Sequence, residues 1–107
     1  MDDLGKKKCV PCETGEGKLE QSKVKEYLKA VHEWFLIGDS IVREYKFKDF
    51  IEAMEFINKV ADLAEIEGHH PDIYVSYNKV KITLTTHSSG GLTENDFILA
   101  AKINSLN

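Results

Sequence analysis

Three of the four histidines in this 107-residue chain lie close together in the sequence. His69 and His70 are adjacent and precede Pro71, and His87 follows sixteen residues after that proline. An imidazole, whose unperturbed pKa is about 6.5, gives or takes a proton near neutral pH, and it also binds metals. The histidines therefore predict either proton-transfer chemistry or a metal site.

Proton transfer is the chemistry that the spacing favours. Successive side chains of an extended chain point in opposite directions, so His69 and His70 are not expected to converge on one ion. No cysteine or carboxylate spacing completes a ligand set, and we expect no metal. Glu65 lies four residues before His69, where its carboxylate can reach an imidazole and stabilise the protonated ring. One of the adjacent imidazoles is thus expected to act while the other positions the reacting molecule.

Two elements are predicted before the histidines. Apolar residues recur at helical spacing over 21–31, where Ser22 is placed to cap the first turn. Segments 34–37 and 41–47 are rich in β-branched and aromatic residues and flank the turn residues 38–40. This arrangement predicts a β-hairpin after the first helix.

The main helix is predicted from Asp49 to about Glu67, with Gly68 as its stop. Its buried face is expected to be an apolar stripe with three flanking residues: Phe50, Met54, Ile57, Ala61 and Ala64, then Phe56, Val60 and Leu63. Pro71 cannot continue a helix. The two adjacent histidines are therefore expected at the joint between this helix and the next strand.

A second hairpin is predicted after the joint. Residues 73–77 alternate between two faces, and a tight turn near Asn78 and Lys79 leads into another strand. That strand separates one set of side chains from another: Val80, Ile82, Leu84 and Thr86 on one face, Lys81, Thr83, Thr85 and His87 on the other. His87 is expected to end this strand and to return near Pro71, so that three imidazoles border one pocket.

The last element is a helix through about Ile103, because Thr93 to Asp96 has the spacing of a capping box. The element order becomes α-β-β-α-β-β-α. This order favours an α+β fold, with a four-stranded antiparallel sheet and helices packed on one face. The other face of the sheet is then open to solvent or covered by a second subunit.

Composition limits the classes of function. A chain of 107 residues with 42% hydrophobic content suits one domain, and a net charge of -4 gives no strong attraction for phosphate backbones. No run of eighteen apolar residues occurs, and the N terminus lacks the apolar stretch of a signal peptide. We expect a cytoplasmic protein that binds neither a membrane nor, directly, nucleic acid.

Residues 1–18 are predicted to form a flexible N-terminal arm ahead of a domain spanning 19–107. The arm contains Cys9 and Cys12 in a Cys-x-x-Cys pair, a spacing found in redox motifs and in half of a zinc site. A zinc ribbon needs a second pair, and no βαβ pattern surrounds this one. An extension with two reduced thiols is the favoured interpretation.

Three separated segments, 65–72, 77–87 and 91–96, agree in content and spacing with one protein family. Together with residues 47–50 and the helix that follows, they resemble pterin-4a-carbinolamine dehydratase, also called 4a-hydroxytetrahydrobiopterin dehydratase. The resemblance implies dehydration of 4a-hydroxytetrahydropterin to quinonoid dihydropterin and water. It further implies histidine acid–base catalysis without a cofactor, in the recycling of tetrahydrobiopterin.

The resemblance also implies roles for particular residues. His69 and His87 are expected to transfer protons, His70 to position the substrate, and Glu65 to act as the supporting carboxylate. The residues implied to contact the pterin are Gly68, His69, His70, Thr85, Thr86, His87 and Ser88. Pro71 and Asp96 are expected in supporting roles, and Asp96 is most simply a cap of the last helix.

The same resemblance implies a homodimer or homotetramer that binds a small pterin substrate. A transcription-factor dimerisation domain is a further partner known among animal members. Two other functions stay open: a non-catalytic binding or dimerisation-cofactor module, and a role in the maturation of molybdopterin enzymes. Retention of all three histidines together with Glu65 favours the enzyme.

Overall fold

The computed structural model describes residues 4–7, 9 and 17–106. Helices and strands follow the predicted order, and they comprise α1 (Gln21–Leu28), β1 (Phe35–Ile37), β2 (Ser40–Lys46), α2 (Phe50–Glu67), β3 (Asp72–Ser76), β4 (Lys79–Leu84) and α3 (Glu94–Asn104). Two short 3-10 turns, Leu4–Lys6 and His87–Ser89, complete the described elements. The predicted α+β class and element order are confirmed.

The four strands form one antiparallel sheet in the order β1-β2-β4-β3. Each hairpin supplies two neighbouring strands, and pairing of β2 with β4 joins the hairpins from Ile41 opposite Leu84 to Lys46 opposite Lys79. On β4, Val80, Ile82 and Leu84 are at most 1% exposed and belong to the core. The predicted inner face of β4 is therefore confirmed, and β4 lies inside the sheet between β2 and β3.

The hairpin turns differ slightly from the predictions. β2 already begins at Ser40, so the first turn is formed by Gly38 and Asp39. The second turn is formed by Tyr77 and Asn78, and Tyr77 has a φ of 52°. The Asn78 Nδ2 donates to the carbonyl of Phe47 at 2.9 Å, and this hydrogen bond attaches the turn to the end of β2.

Both ends of α2 lie within one residue of the predicted positions, and Gly68 is the predicted stop. The Asp49 carboxylate accepts a hydrogen bond from the backbone N–H of Glu52 at 2.9 Å. Gly68 adopts the left-handed conformation with φ of 68°, and its N–H bonds the carbonyl of Ala64. The chain consequently leaves α2 immediately before His69.

The buried face of α2 differs from the predicted stripe. The side chains buried against the core are Ala53, Phe56, Val60 and Ala64, with Ile57 and Leu63 partly buried. Phe50 is 48% exposed, and Ala61 is also exposed. The predicted burial of Phe56, Val60 and Ala64 is confirmed, whereas that of Phe50 and Ala61 is wrong. The helix is apolar on more than one side, and the packing of Phe56 against Tyr45 and Phe47 sets its rotation.

The first helix also departs from its prediction. α1 begins at Gln21 after Glu20, which makes no side-chain capping bond, so Ser22 lies inside the helix. The helix ends at Leu28, and Val31 is buried in the connection that follows.

Part of the N-terminal arm packs on the domain instead of extending into solvent. Leu4 is 3% exposed and belongs to the core, and the Lys7 Nζ lies 2.8 Å from the Glu94 carboxylate. The backbone N–H of Cys9 donates to Glu67 at 2.9 Å. Burial of Leu4 gives these residues a hydrophobic anchor that local periodicity does not reveal. Cys12 lies outside the described residues, and the domain boundary at residue 18 stays a prediction.

Candidate active site

The joint between α2 and β3 presents the two adjacent histidines to different surroundings. The side chain of His69 is 11% exposed, whereas that of His70 is 61% exposed. The left-handed Gly68 turns the chain, and Pro71 holds the preceding residue in extended geometry. One imidazole therefore faces the protein interior and the other faces solvent.

His69 contacts a buried carboxylate on α3. Its Nε2 lies 2.6 Å from the Oδ1 of Asp96, whose side chain is fully buried. The second oxygen, Oδ2, accepts hydrogen bonds from the backbone N–H of Thr93 at 2.9 Å and from the Thr86 hydroxyl at 2.8 Å. These three hydrogen-bond donors and the N-terminal end of α3 stabilise the negative charge of the buried carboxylate in place of water.

This contact assigns the two nitrogens of His69. An ionised carboxylate only accepts, so Nε2 carries the proton that lies between the two groups. The other nitrogen, Nδ1, is then the ring atom with a lone pair for accepting a proton.

Glu65 contacts His70, and not His69. The Oε2 of Glu65 lies 2.5 Å from the Nε2 of His70, and the two side chains are 77% and 61% exposed. An ion pair in this setting is screened by water and contributes little, about 0–1 kcal/mol. The buried carboxylate beside a histidine is therefore Asp96, which also forms the predicted cap of α3 by accepting from the Thr93 N–H.

His87 lies beyond the end of β4, so the prediction that it ends the strand is wrong. β4 ends at Leu84, and His87 opens a 3-10 turn with its side chain exposed. Thr86 and Gly91 exchange two backbone hydrogen bonds of 3.2 Å, which close the intervening loop. Gly90, at φ of 78°, and Gly91 turn the chain back toward Thr86 after the 3-10 turn.

The Asp96 carboxylate brings the two histidine-bearing segments together. Thr86 immediately precedes His87 and donates to Asp96, while His69 contacts the other oxygen of the same group. The loop that begins at His87 is thereby attached to Asp96, the residue that contacts His69. His70 and Glu65 form a separate exposed pair at the end of α2.

The remaining candidate residues differ in their availability. The hydroxyl of Thr85 donates to the carbonyl of Asp39 at 2.7 Å, and Thr86 is 4% exposed. Both hydroxyls are engaged in hydrogen bonds within the protein. Two others, Gly68 and Ser88, are exposed, and Pro71 is half-buried.

The thiol of Cys9 does not have the character of a reactive cysteine. Burial, followed by the negative charge of Glu67, raises its pKa from 9.0 to about 12. The Sγ lies 3.6 Å from the carbonyl oxygen of Asn95. Because the thiolate is the nucleophile and the metal ligand, this cysteine is held in its unreactive form at neutral pH.

Within residues 4–7, 9 and 17–106, no group of three or more His, Cys, Asp or Glu side chains is arranged to hold a metal ion. In this described part of the chain, no helix has the length and apolar character needed to cross a membrane.

The fold and site define a class of α+β protein in which a helix-to-strand joint carries a histidine backed by a buried carboxylate. Comparison with known proteins identifies the family. The model of the family Pterin 4 alpha carbinolamine dehydratase matches residues 17–106. The chain belongs to the pterin-4a-carbinolamine dehydratase family.

Relatives agree with this assignment. The chain is 46% identical over 112 residues to pterin-4-alpha-carbinolamine dehydratase 2, mitochondrial, of Arabidopsis thaliana, with 99% of this chain and 60% of that protein covered. It is 49% identical over 105 residues to a protein of Alkaliphilus metalliredigens (strain QYMF) that bears the dehydratase name provisionally. That match covers 96% of this chain and 95% of the relative.

Two solved structures share the fold. A Brucella melitensis protein described as a transcriptional coactivator/pterin dehydratase superposes with a TM-score of 0.79 and 40% identity, over 83% of this chain and 97% of that one. A pterin dehydratase-like protein, described as a RuBisCO assembly factor in the alpha-carboxysome, gives a TM-score of 0.61 and 27% identity. The coverage is 70% of this chain and 89% of that one.

Proposed function

We propose that this protein is a hydro-lyase that dehydrates 4a-hydroxytetrahydropterin to quinonoid dihydropterin and water. The observation that carries the proposal is the contact of His69 with buried Asp96, to which the residue before His87 is also bonded. Family membership supplies the substrate class. In this reaction the N5–H bond and the C4a–O bond break, a C4a=N5 double bond forms, and the hydroxyl leaves as water.

His69 is proposed as the general base. Its Nδ1 takes the proton from N5, and the negative charge of Asp96 stabilises the resulting imidazolium. His87 in its protonated form gives a proton to the departing hydroxyl. Exchange of one proton with water then restores both imidazoles, so the step is balanced without a redox partner.

His70 is proposed to position the pterin, with Glu65 orienting its imidazole from the last turn of α2. Each well-placed acid or base contributes about 10²- to 10⁴-fold to a rate. Two such groups are sufficient for an elimination that also proceeds slowly unaided. In a cell, the product would be reduced back to tetrahydropterin, which places the reaction in tetrahydrobiopterin recycling.

The test is the decay of freshly generated 4a-hydroxytetrahydropterin, followed by ultraviolet absorbance with and without the protein. Wild-type protein should accelerate the decay, and His69→Ala and His87→Ala should each lose most of that acceleration. His32→Ala is the matched control, since His32 is exposed in the connection between α1 and β1 and should retain the wild-type rate. A chelator should leave the rate unchanged. The proposal would be overturned if the substrate decayed no faster with folded wild-type protein than in buffer alone.

A homodimer or homotetramer is proposed as the assembly. Large apolar side chains are exposed on β1 and α2, and these include Phe35 at 67%, Ile37 at 62%, Ile51 at 70% and Ile66 at 79%. β1 is also an edge strand, which leaves backbone groups available for pairing with another chain. Light scattering after gel filtration should give a mass of about two or four times 12.1 kDa. A single 12.1 kDa species at micromolar concentration would contradict the assembly.

A non-catalytic binding role is the alternative function. The same exposed apolar residues on β1 and α2 favour it, because such a surface can also bind a different protein. The decay assay separates the two functions, because a binding module would not need proton transfer at His69.

A further inference from the structure

Thr86 has the structural position of a residue that acts through Asp96. Its side chain is 4% exposed, and its hydroxyl oxygen lies 2.8 Å from the Oδ2 of Asp96 and 2.9 Å from the Thr93 hydroxyl. A hydroxyl has one proton, and the carboxylate can only accept. Thr86 therefore donates to Asp96, and Thr93 donates to Thr86, which gives a directed chain of hydrogen bonds ending at the carboxylate.

These hydrogen bonds, from Thr93 to Thr86 and from Thr86 to Asp96, fix the orientation of the Asp96 carboxylate. At Oδ2 the Thr86 hydroxyl and the Thr93 N–H converge from two different elements, and at Oδ1 the carboxylate faces the Nε2 of His69. Rotation of the carboxylate would break several charge-assisted hydrogen bonds in a fully buried setting, where unpaired groups are costly. The hydroxyl of Thr86 thus holds Oδ1 of Asp96 in one position, where it contacts His69.

Thr86 also anchors the loop that begins at His87. Its backbone N–H and carbonyl both bond Gly91 at 3.2 Å, and its carbonyl accepts from the N–H of Ser89 at 3.0 Å. The same residue therefore fixes the base of this loop through its backbone and the partner of His69 through its side chain.

We infer that Thr86 is a positioning residue for the two proton-transfer histidines, acting on His69 through Asp96 and on His87 through the loop. This inference rests on the proposed dehydration. It gives the Thr86 hydroxyl a role at Asp96, because that hydroxyl is buried and directed at the carboxylate. Loss of a positioning residue lowers kcat, the rate at which the bound substrate reacts, whereas loss of a substrate contact raises KM.

The test compares Thr86→Val, which keeps the shape and removes the hydroxyl, with Thr86→Ser, which keeps the hydroxyl. Small misplacement of reacting groups costs up to about 100-fold, so we expect kcat of Thr86→Val to fall about 10- to 100-fold with KM within about twofold. Thr86→Ser should recover most of the rate. Thr83→Val, on the outer face of β4, is the matched control and should behave as wild type.

A second readout needs no catalysis. The ¹⁵N resonances of the His69 ring, recorded without substrate, should change in Thr86→Val and stay near wild type in Thr86→Ser and Thr83→Val. If Thr86→Val does not fold, Thr86→Ala gives the same comparison. Unchanged His69 resonances in the folded variant would overturn the inference even if wild-type protein proves inactive. A raised KM with unchanged kcat, or a serine variant as impaired as the valine variant, would overturn it as well.

Discussion

Asp96→Asn is the substitution with the most specific expected consequence. At Oδ2 the carboxylate accepts from two donors, the backbone N–H of Thr93 and the Thr86 hydroxyl. An asparagine must therefore direct its single carbonyl oxygen to that side. Its NH₂ group then faces the Nε2 of His69, where the carboxylate oxygen stood at 2.6 Å.

Because an NH₂ group donates, Nε2 must become the acceptor and the proton must move to Nδ1. The ring atom proposed to take the N5 proton would then already be protonated. Loss of one general base costs about 10²- to 10⁴-fold. At 1.36 kcal/mol for each factor of ten, this corresponds to a barrier about 2.7–5.4 kcal/mol higher. We expect the loss to appear in kcat, since the fully buried Asp96 does not reach the substrate.

The assay is carbinolamine decay under saturating and subsaturating substrate, combined with long-range ¹H–¹⁵N spectra of the His69 ring. Asp62→Asn is the control of equal charge change, because Asp62 is exposed on α2. An Asp96→Asn protein that is folded and turns over at the wild-type rate would refute the argument. A proton still found on Nε2 in that variant would refute the assignment of the ring nitrogens.

Three further predictions test other parts of the structure. Glu65→Gln should reduce kcat/KM less than Asp96→Asn does and change the free energy of unfolding by no more than about 1 kcal/mol, because its pair with His70 is exposed. Ile82→Ala, at a fully buried position of the central strand, should lower the free energy of unfolding by about 2–5 kcal/mol in urea titrations, and a change below 1 kcal/mol would contradict the core assignment. For Cys9 the folded pKa is about 12 against 9.0 in the unfolded chain, so above pH 9 the unfolded state releases its proton first and stability falls as pH rises. Cys9→Ser should lessen the fall in unfolding free energy between pH 8 and pH 10, and an equal fall in variant and wild type would show that the thiol is not buried as described.

Local patterns in the sequence predict much of the fold. Asp49 and Gly68 fix the ends of α2 through bonds to residues three or four positions away, so their signals are present in short segments. Alternation along β4 identifies its buried face for the same reason. The rotation of α2 is different, because Phe56 packs against aromatic residues of the preceding strand and its flank, and that contact is tertiary.

The candidate site is predictable to a similar extent. The histidine cluster and its location after α2 follow from residue types and from Gly68 and Pro71. The partner of His69 does not, because Asp96 lies 27 residues away and its sequence context is that of an ordinary helix cap. Glu65 is near His69 in the sequence, yet the turn at Gly68 brings it to His70 instead.

Removal of water from 4a-hydroxytetrahydropterin is the activity that we propose for this chain. The most direct measurement is the initial rate of carbinolamine decay as a function of wild-type protein concentration, with His69→Ala measured in parallel. We expect a rate that increases linearly with wild-type protein and a nearly flat line for the variant. Decay that stays at the buffer rate for folded wild-type protein, or that increases equally for both proteins, would contradict it.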